Sequence, residues 1–507
     1  MRTFSQEHRA KLKERIGHFF GMVGREDPKG EAELVLKLET QMAEAHEDKA
    51  ESRRDHGKVT TWEEVDKLVP NWPWQEWLKG LADCTPVPDG GPSACEGFHK
   101  PVMEVGREGG QPLLIRSQGF FQKLDGILKD QPLEAVKSLM RWKIIKDAAP
   151  SMSAAFLDSM VELNKDIYGT KTKSPRERKC YFSTMSTAGW PAAKIYADKV
   201  FHRGNIKAAE EMLAKIRAEF DEALAEESWM APEDRKKAQY KLQHMFFQVG
   251  VPTDKDGKEH WPKKTEELDG KMTDSLYKNE CVAKRQAVER SLKQLTEVPN
   301  RRHWGGSTPL AVNAFYGPSN NGLWIPAGIL QKPFFDEEMG DARNYGAIGA
   351  VLGHEMSHGF DDNGRQYDAN GELHDWWSPA TVEGFKKGSQ CISDLFSSFS
   401  VKGRHVNGDL TLGEDIADSG GLKFSFKAFT KDGGRTSAEK RLFFTAFAQV
   451  WCQVSRRKSA VAGMLSDPHA PAKFRVIGGL SQFPEFSEAF ACPLGSPMSP
   501  ADKCSLW

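Results

Sequence analysis

The sequence predicts a mainly α-helical protein of two lobes, the second holding a small β-sheet and the chemistry. Three observations predict it. At 507 residues the chain exceeds the size at which one hydrophobic core usually keeps growing. Before residue 300, apolar side chains recur at helical spacing with charged residues between them. Beyond the stretch NRRHWGG, at Asn300 to Gly306, the chain becomes dense in glycine, asparagine and aromatic residues, and every motif with evident chemistry lies there. The lobes are therefore expected at residues 1–300 and 301–507.

In the first lobe, Ile206, Leu213, Ile216, Phe220 and Leu224 form one apolar stripe, the signature of a helix with a buried face. Thr61 followed by Glu64 reads as a capping box, and Pro232 sits where a first helical turn accepts proline. Residues 251–271 are polar and rich in Gly and Pro, as a surface loop would be. No internal repeat is evident, and these helices read as architecture. In the second lobe, VNAFY (312–316) and GLWIPAGIL (322–330) are the candidate strands of the small sheet.

Composition narrows the function. Hydrophobic residues make up 39% and charged residues 28%, which suits a globular protein rather than a disordered one. Lysine plus arginine (70) nearly equal aspartate plus glutamate (71), a balance that argues against nucleic acid as the partner. No window approaches the roughly 20 apolar residues of a membrane span. The opening MRTFSQEHRAKLKERIGHFF lacks the apolar core of a signal peptide, and alone it predicts a cytosolic chain. The eight cysteines complicate that reading. Cys84 and Cys95 bracket a turn-rich loop that suits a small disulfide better than a zinc ribbon, although both readings stay open.

The chemistry centres on VLGHEMSHGFDDNGR, residues 351–365. His354 and His358 are spaced i, i+4, which puts both rings on one helix face within reach of a single ion. Glu355 lies beside them, placed to take a proton from water. Further on, GEDIADSGG carries Glu414 and Asp418, again i, i+4 on an expected second helix. Glu414 would complete the two-His, one-Glu set of a catalytic zinc site, and Asp418 could accept the second ring N–H of a ligating histidine. In SDPHAPAKFRVIGGL, His469 is held between two prolines and suits an oxyanion donor. Arg475 follows in an apolar, strand-like run and suits a substrate carbonyl or carboxylate.

Taken together, VNAFY, PAGILQKPFF, GHEMSHGFDDNGR, GEDIADSGG and HAPAKFRVIGGLSQFPEFSEAF, with the terminal Cys-x-x-Trp, resemble the neprilysin and endothelin-converting-enzyme family of zinc endopeptidases. The likeness is collinear over residues 308–507 and weaker upstream, where LETQMAEA and the Arg-Lys-Cys at Cys180 carry it. The resemblance implies a two-lobed neprilysin-like fold with a thermolysin-like catalytic lobe, one zinc ion per chain, and oligopeptide substrates. It assigns zinc to His354, His358 and Glu414, the activation of a zinc-bound water to Glu355, and the support of a ligand to Asp418. His469 matches the transition-state stabiliser, Asn313 and Ala314 the pair that aligns the substrate backbone, and Arg475 an arginine that binds a substrate carbonyl. Ile329, Phe334, Val351, Val450 and Trp451 match the pocket for the residue after the scissile bond, implying cleavage before large hydrophobic residues.

The chain also departs from that pattern. The family's N-terminal anchor or signal and its cysteine-rich segment have no counterpart, which suggests a fragment of an extracellular or membrane-anchored parent. By resemblance Cys84 pairs with Cys95 and Cys391 with Cys504. Cys180, Cys452 and Cys492 match cysteines bonded to the absent segment, and Cys281 has no counterpart. The alternative function is an inactive relative that binds peptides without cutting them. Oligomeric state is not legible.

Overall fold

The apolar stripe read from the sequence becomes helix α1 (Gly204–Glu226), on which Leu213, Ile216, Phe220 and Leu224 are completely buried. Helix α2 (Pro232–Gln243) begins with Pro232 at its first position, where the missing N–H costs nothing. Its otherwise polar sequence buries one stripe of Asp234, Ala238, Lys241 and Leu242. The computed structural model describes residues 5–74, 76–77, 104–105, 112–262, 271–295 and 297–507. The expected Cys84–Cys95 pair lies outside them, as does part of the expected loop at 251–271.

The sheet has three strands, β1 (Phe246–Gly250), β2 (Phe315–Gly317) and β3 (Gly322–Pro326), in the order β1-β3-β2. The central strand β3 pairs parallel with β1 and antiparallel with β2, and every one of its residues is buried. Both expected strand regions therefore contribute. The third strand, β1, comes from the part of the chain expected to be mainly helical.

The described residues form two compact units. One comprises residues 1–187, 268–299 and 456–459; the other comprises 188–267, 300–455 and 460–507. The chain thus does not divide once near residue 300. Residues 188–267 fold with the motif-bearing part because β1 must pair with β3 and α1 packs on a later helix of that unit. In the first unit, helices Gln6–Met22, Pro28–Ala45, Leu133–Ala148 and Ala154–Tyr168 enclose Ile16, Phe19, Phe20, Val35 and Trp142. Thr61 caps the helix Trp62–Leu68 by accepting from the Glu64 N–H at 3.3 Å. The Glu64 carboxylate accepts from Thr60 Oγ1 rather than closing the expected box.

In the second unit, α3 (Ala350–Ser357), α4 (Gly408–Thr430), α5 (Ser437–Val450) and α6 (Ala472–Ser481) surround a phenylalanine-rich core. A disulfide joins Cys391, on helix Pro379–Ser398, to Cys504, the pairing implied by resemblance. Just beyond it Trp507 is buried against Phe220, Phe360 and Phe424. Cys180, Cys281 and Cys452 are exposed and Cys492 half-buried, all four as free thiols. Among the described residues no helix is long and apolar enough to cross a membrane.

Candidate metal centre

Helix α3 ends a continuous helical path that starts at Asp341–Asn344 and passes through one π-helical turn, Tyr345–Gly349. Small residues let it approach α4 at backbone distance. A Cβ placed on Gly353 would lie 2.9 Å from the Gly421 Cα, a separation real atoms do not tolerate. This contact fixes where the candidate ligands meet: Glu414 and Asp418 precede Gly421 on α4 and come to lie beside His354.

His354 Nε2 lies 3.0 Å from His358 Nε2 and 3.2 Å from Glu414 Oε2, and His358 Nε2 is 3.5 Å from the same oxygen. The outer ring nitrogens are already engaged. His354 Nδ1 is 2.8 Å from Asp418 Oδ1, and His358 Nδ1 is 2.8 Å from Asp361 Oδ2. An ionised carboxylate can only accept, so each Nδ1 carries a hydrogen, and in its neutral form each ring turns a lone pair inward. Two imidazole lone pairs and the buried Glu414 Oε2, which has no hydrogen-bond partner, thus converge on one point. Such a set repels itself unless a cation sits between its members. Zinc fits: tetrahedral ligands at about 2.0–2.1 Å stand about 3.3 Å apart, close to these separations.

The electrostatics follow from burial. His358 is held well above the usual imidazole range; desolvation opposes this, but the Glu414 and Asp361 carboxylates outweigh it. Glu414 is correspondingly pulled well below the carboxylate range despite its burial. Asp418 is fully enclosed, yet the guanidinium of Arg475 holds it down to about 2. Glu355, also buried, is pushed upward by desolvation, with the two histidines opposing.

Arg475 donates from Nε and Nη2 to the two oxygens of Asp418, at 2.7 and 2.6 Å, and its guanidinium lies 3.8 Å above the Trp451 ring. The expected strand-like run around it is helix α6, so the arginine is carried on a helix. His469 Nε2 stands 3.3 Å from Glu414 Oε2, while its Nδ1 lies 2.8 Å from Asp467 Oδ1.

A cavity of about 440 Å³ opens on this cluster. Every residue singled out from the sequence lines it: Asn313 and Ala314 at the approach to β2, Ile329, Phe334, Val351, Val450 and Trp451 on the apolar side, and the polar cluster with Glu355, Asp418, His469 and Arg475. The sequence reading missed Val312, Phe315, Tyr316, Ala347, Ala350 and Phe447, which also line it. Ala350 and Ala347 stand i−4 and i−7 from His354, so the helical period could have found them. Asp361 was missed too, although it lies three residues after His358.

A second group, Asp368, Glu372 and His374, also brings its ligand atoms close together. There, Asp368 Oδ1 already accepts the backbone N–H groups of Asn370 and Glu372.

Sequence profiles of peptidase family M13 match over residues 2–252 and 313–506. The chain belongs to peptidase family M13. This M13 chain is 34% identical over 488 residues to an endothelin-converting enzyme homolog of Locusta migratoria, a match covering 93% of the chain and 65% of the relative. It is 33% identical over 510 residues to endothelin-converting enzyme 1 of Homo sapiens, covering 97% and 63%. It thus spans less than two thirds of the length of these relatives. Among solved structures, the zinc metalloprotease Zmp1 of Mycobacterium tuberculosis in complex with an inhibitor superposes with a TM-score of 0.81 at 25% identity, over 96% of this chain and 72% of that one. PepO of Lactobacillus rhamnosis shares the fold, with a TM-score of 0.81 at 22% identity over 98% and 75%. The mainly α, neprilysin-like fold is thereby established for this M13 chain.

Proposed function

We propose that this chain is a zinc-dependent endopeptidase that hydrolyses oligopeptides before large apolar residues. The observation that carries the reading is the convergence of His354 Nε2, His358 Nε2 and Glu414 Oε2 on one point while both Nδ1 atoms are engaged by carboxylates. These three residues hold one zinc ion per chain, which when bound supplies Lewis acidity toward water and the substrate carbonyl. Glu355, buried and with its basicity raised, takes the proton from the attacking water and passes it to the leaving nitrogen. His469 donates to the oxyanion as it forms. Asn313 and Ala314 align the substrate backbone. Arg475 spends Nε and Nη2 on Asp418 and keeps Nη1 for a substrate carbonyl. The apolar wall of Ile329, Phe334, Val351, Val450 and Trp451 receives the side chain after the cut bond.

The test pairs zinc content with cleavage of short fluorogenic peptides that carry Phe or Gly after the target bond. One zinc per chain and preferential cleavage before Phe are expected. Zinc-loaded protein that binds these peptides without cutting them would establish the inactive alternative, and folded protein that takes up no zinc would overturn the metal site.

A further inference from the structure

Lys241 is completely buried, an unusual place for an ammonium group. Its Nζ donates to three backbone carbonyls, Gly359 at 2.6 Å, Gly364 at 2.7 Å and Tyr367 at 2.6 Å, so each of its three N–H groups has a partner. The rings of Phe360 and Trp376 stand 5.3 and 5.8 Å from the nitrogen. All three carbonyls belong to the turn that leaves the metal helix, residues 359–367. That turn carries Asp361, which accepts the backbone N–H groups of Asn363 (2.8 Å) and Gly364 (2.6 Å) and faces His358 Nδ1 (2.8 Å).

The next residues are tied to the same place. Asn321 Nδ2 donates to the Lys241 carbonyl and to the Ala369 carbonyl, both at 3.0 Å, and its Oδ1 accepts from Tyr316. Carbonyls near a helix end favour a cation, and of the three here Gly364 also accepts the Tyr367 N–H at 3.0 Å. A lysine reaching in from α2 meets three carbonyls of this turn at once, and the Asp361 and Asp368 carboxylates also favour its charge.

We propose that Lys241 is a positioning residue for the metal centre: its ammonium sets the 359–367 turn so that Asp361 meets His358 Nδ1 and His358 Nε2 is aimed at the ligand point. This rests on the reading that the site holds zinc. Residues that orient a metal-ligating histidine typically change metal affinity by about 10–100-fold when removed. Lys241 would do so through the turn's backbone, with its charge also drawn to Asp361.

The experiment measures the zinc dissociation constant by chelator competition for the intact chain and for the variants Lys241→Met, Asp361→Ala and the double variant, with the unfolding midpoint of each metal-free protein alongside. Lys241→Met, which keeps the stem and loses the donors, is expected to weaken zinc binding by about 10-fold or more. The double variant should be no weaker than Asp361→Ala alone, because both changes act along one path. Lys241→Arg, which keeps the cation, should recover part of the loss. If Lys241→Met does not fold, Lys241→Gln, which is shorter and uncharged and cannot serve all three carbonyls, carries the same expectation. A lowered midpoint with an unchanged zinc constant would overturn the proposal and leave Lys241 a purely structural residue, as would fully additive losses. If the unaltered chain itself takes up no zinc, the metal reading falls first and this proposal with it.

Discussion

His354 and His358 stand one turn apart, yet the carboxylate behind His354 arrives from α4, 64 residues away, whereas the carboxylate behind His358 lies three residues on in the same segment. Asp418 is clamped by a second helix through Arg475, so the His354 side reports whether α3, α4 and α6 have assembled. Asp361 is held by the backbone of its own turn, and that turn in turn leans on Lys241. A buried cation therefore stands behind each histidine, one paired to the carboxylate itself and the other to the peptide groups around it. The two histidines of one motif are secured by tertiary packing on one side and by local chain geometry on the other.

The largest effect should come from removing what the two sides share. Glu414 Oε2 lies near both Nε2 atoms, so Glu414→Ala should abolish tight zinc binding and with it peptide cleavage. Zinc analysis of the folded variant checks this, and full occupancy with full turnover would remove Glu414 from the ligand set.

Next comes a change that leaves both sides intact. Glu355→Gln keeps shape and drops basicity, so zinc should remain while kcat falls by at least about 10²-fold. Retained turnover in the zinc-loaded variant would make another residue the base.

The comparison itself is sharpened by Asp418→Ala against Asp361→Ala. Each should weaken zinc binding by about 10–100-fold. Their stability costs should separate: Asp418→Ala strands the buried Arg475 charge, worth about 3–5 kcal/mol, while Asp361→Ala leaves two backbone N–H groups and His358 Nδ1 without this partner but Lys241 still on its three carbonyls, worth about 1–3 kcal/mol. Urea titration of the metal-free variants measures the gap, and equal costs would contradict the two-sided description.

The smallest effect is a pH trend. Because the His358 pKa is raised above its unfolded value, the metal-free protein gains stability from it below the usual 6.5 and loses that gain as pH rises through the folded value. Zinc needs the neutral ring, so its affinity should move the opposite way, falling as pH is lowered. Parallel unfolding and zinc titrations from about pH 6.5 upward should show the two trends running in opposite directions above the ordinary histidine range.

What could be read from the sequence follows the same division. The spacing of His354 and His358, and of Glu414 and Asp418, is legible because a helix fixes which residues share a face. Strand β1 was hidden because its partner β3 lies more than 70 residues away and local pattern says nothing of a parallel pairing. Phe474 to Ile477 reads as a strand from its apolar content, but packing against α4 and the core makes it helix, an override of local preference by tertiary context. Lys241 sits in DRKKAQYKLQ among lysines that face solvent, and only the fold tells it from its neighbours. Asp361 was within reach of simple spacing, yet its role depends on a turn whose shape the sequence does not state.

Trp507 carries a consequence for how this protein is made. Its indole is seated among Phe220, Phe360 and Phe424, and its carbonyl accepts from Lys423 and from Ser505, while Trp229 Nε1 holds the Leu506 carbonyl at 2.7 Å. Phe360 lies just after the metal helix and Phe220 on the apolar stripe of α1, so this core joins parts of the chain almost 300 residues apart. It cannot close until position 507 has emerged from the ribosome. Helix α3 therefore spends the synthesis of some 150 residues without its final packing, exposed to the misfolding that such unfinished surfaces invite.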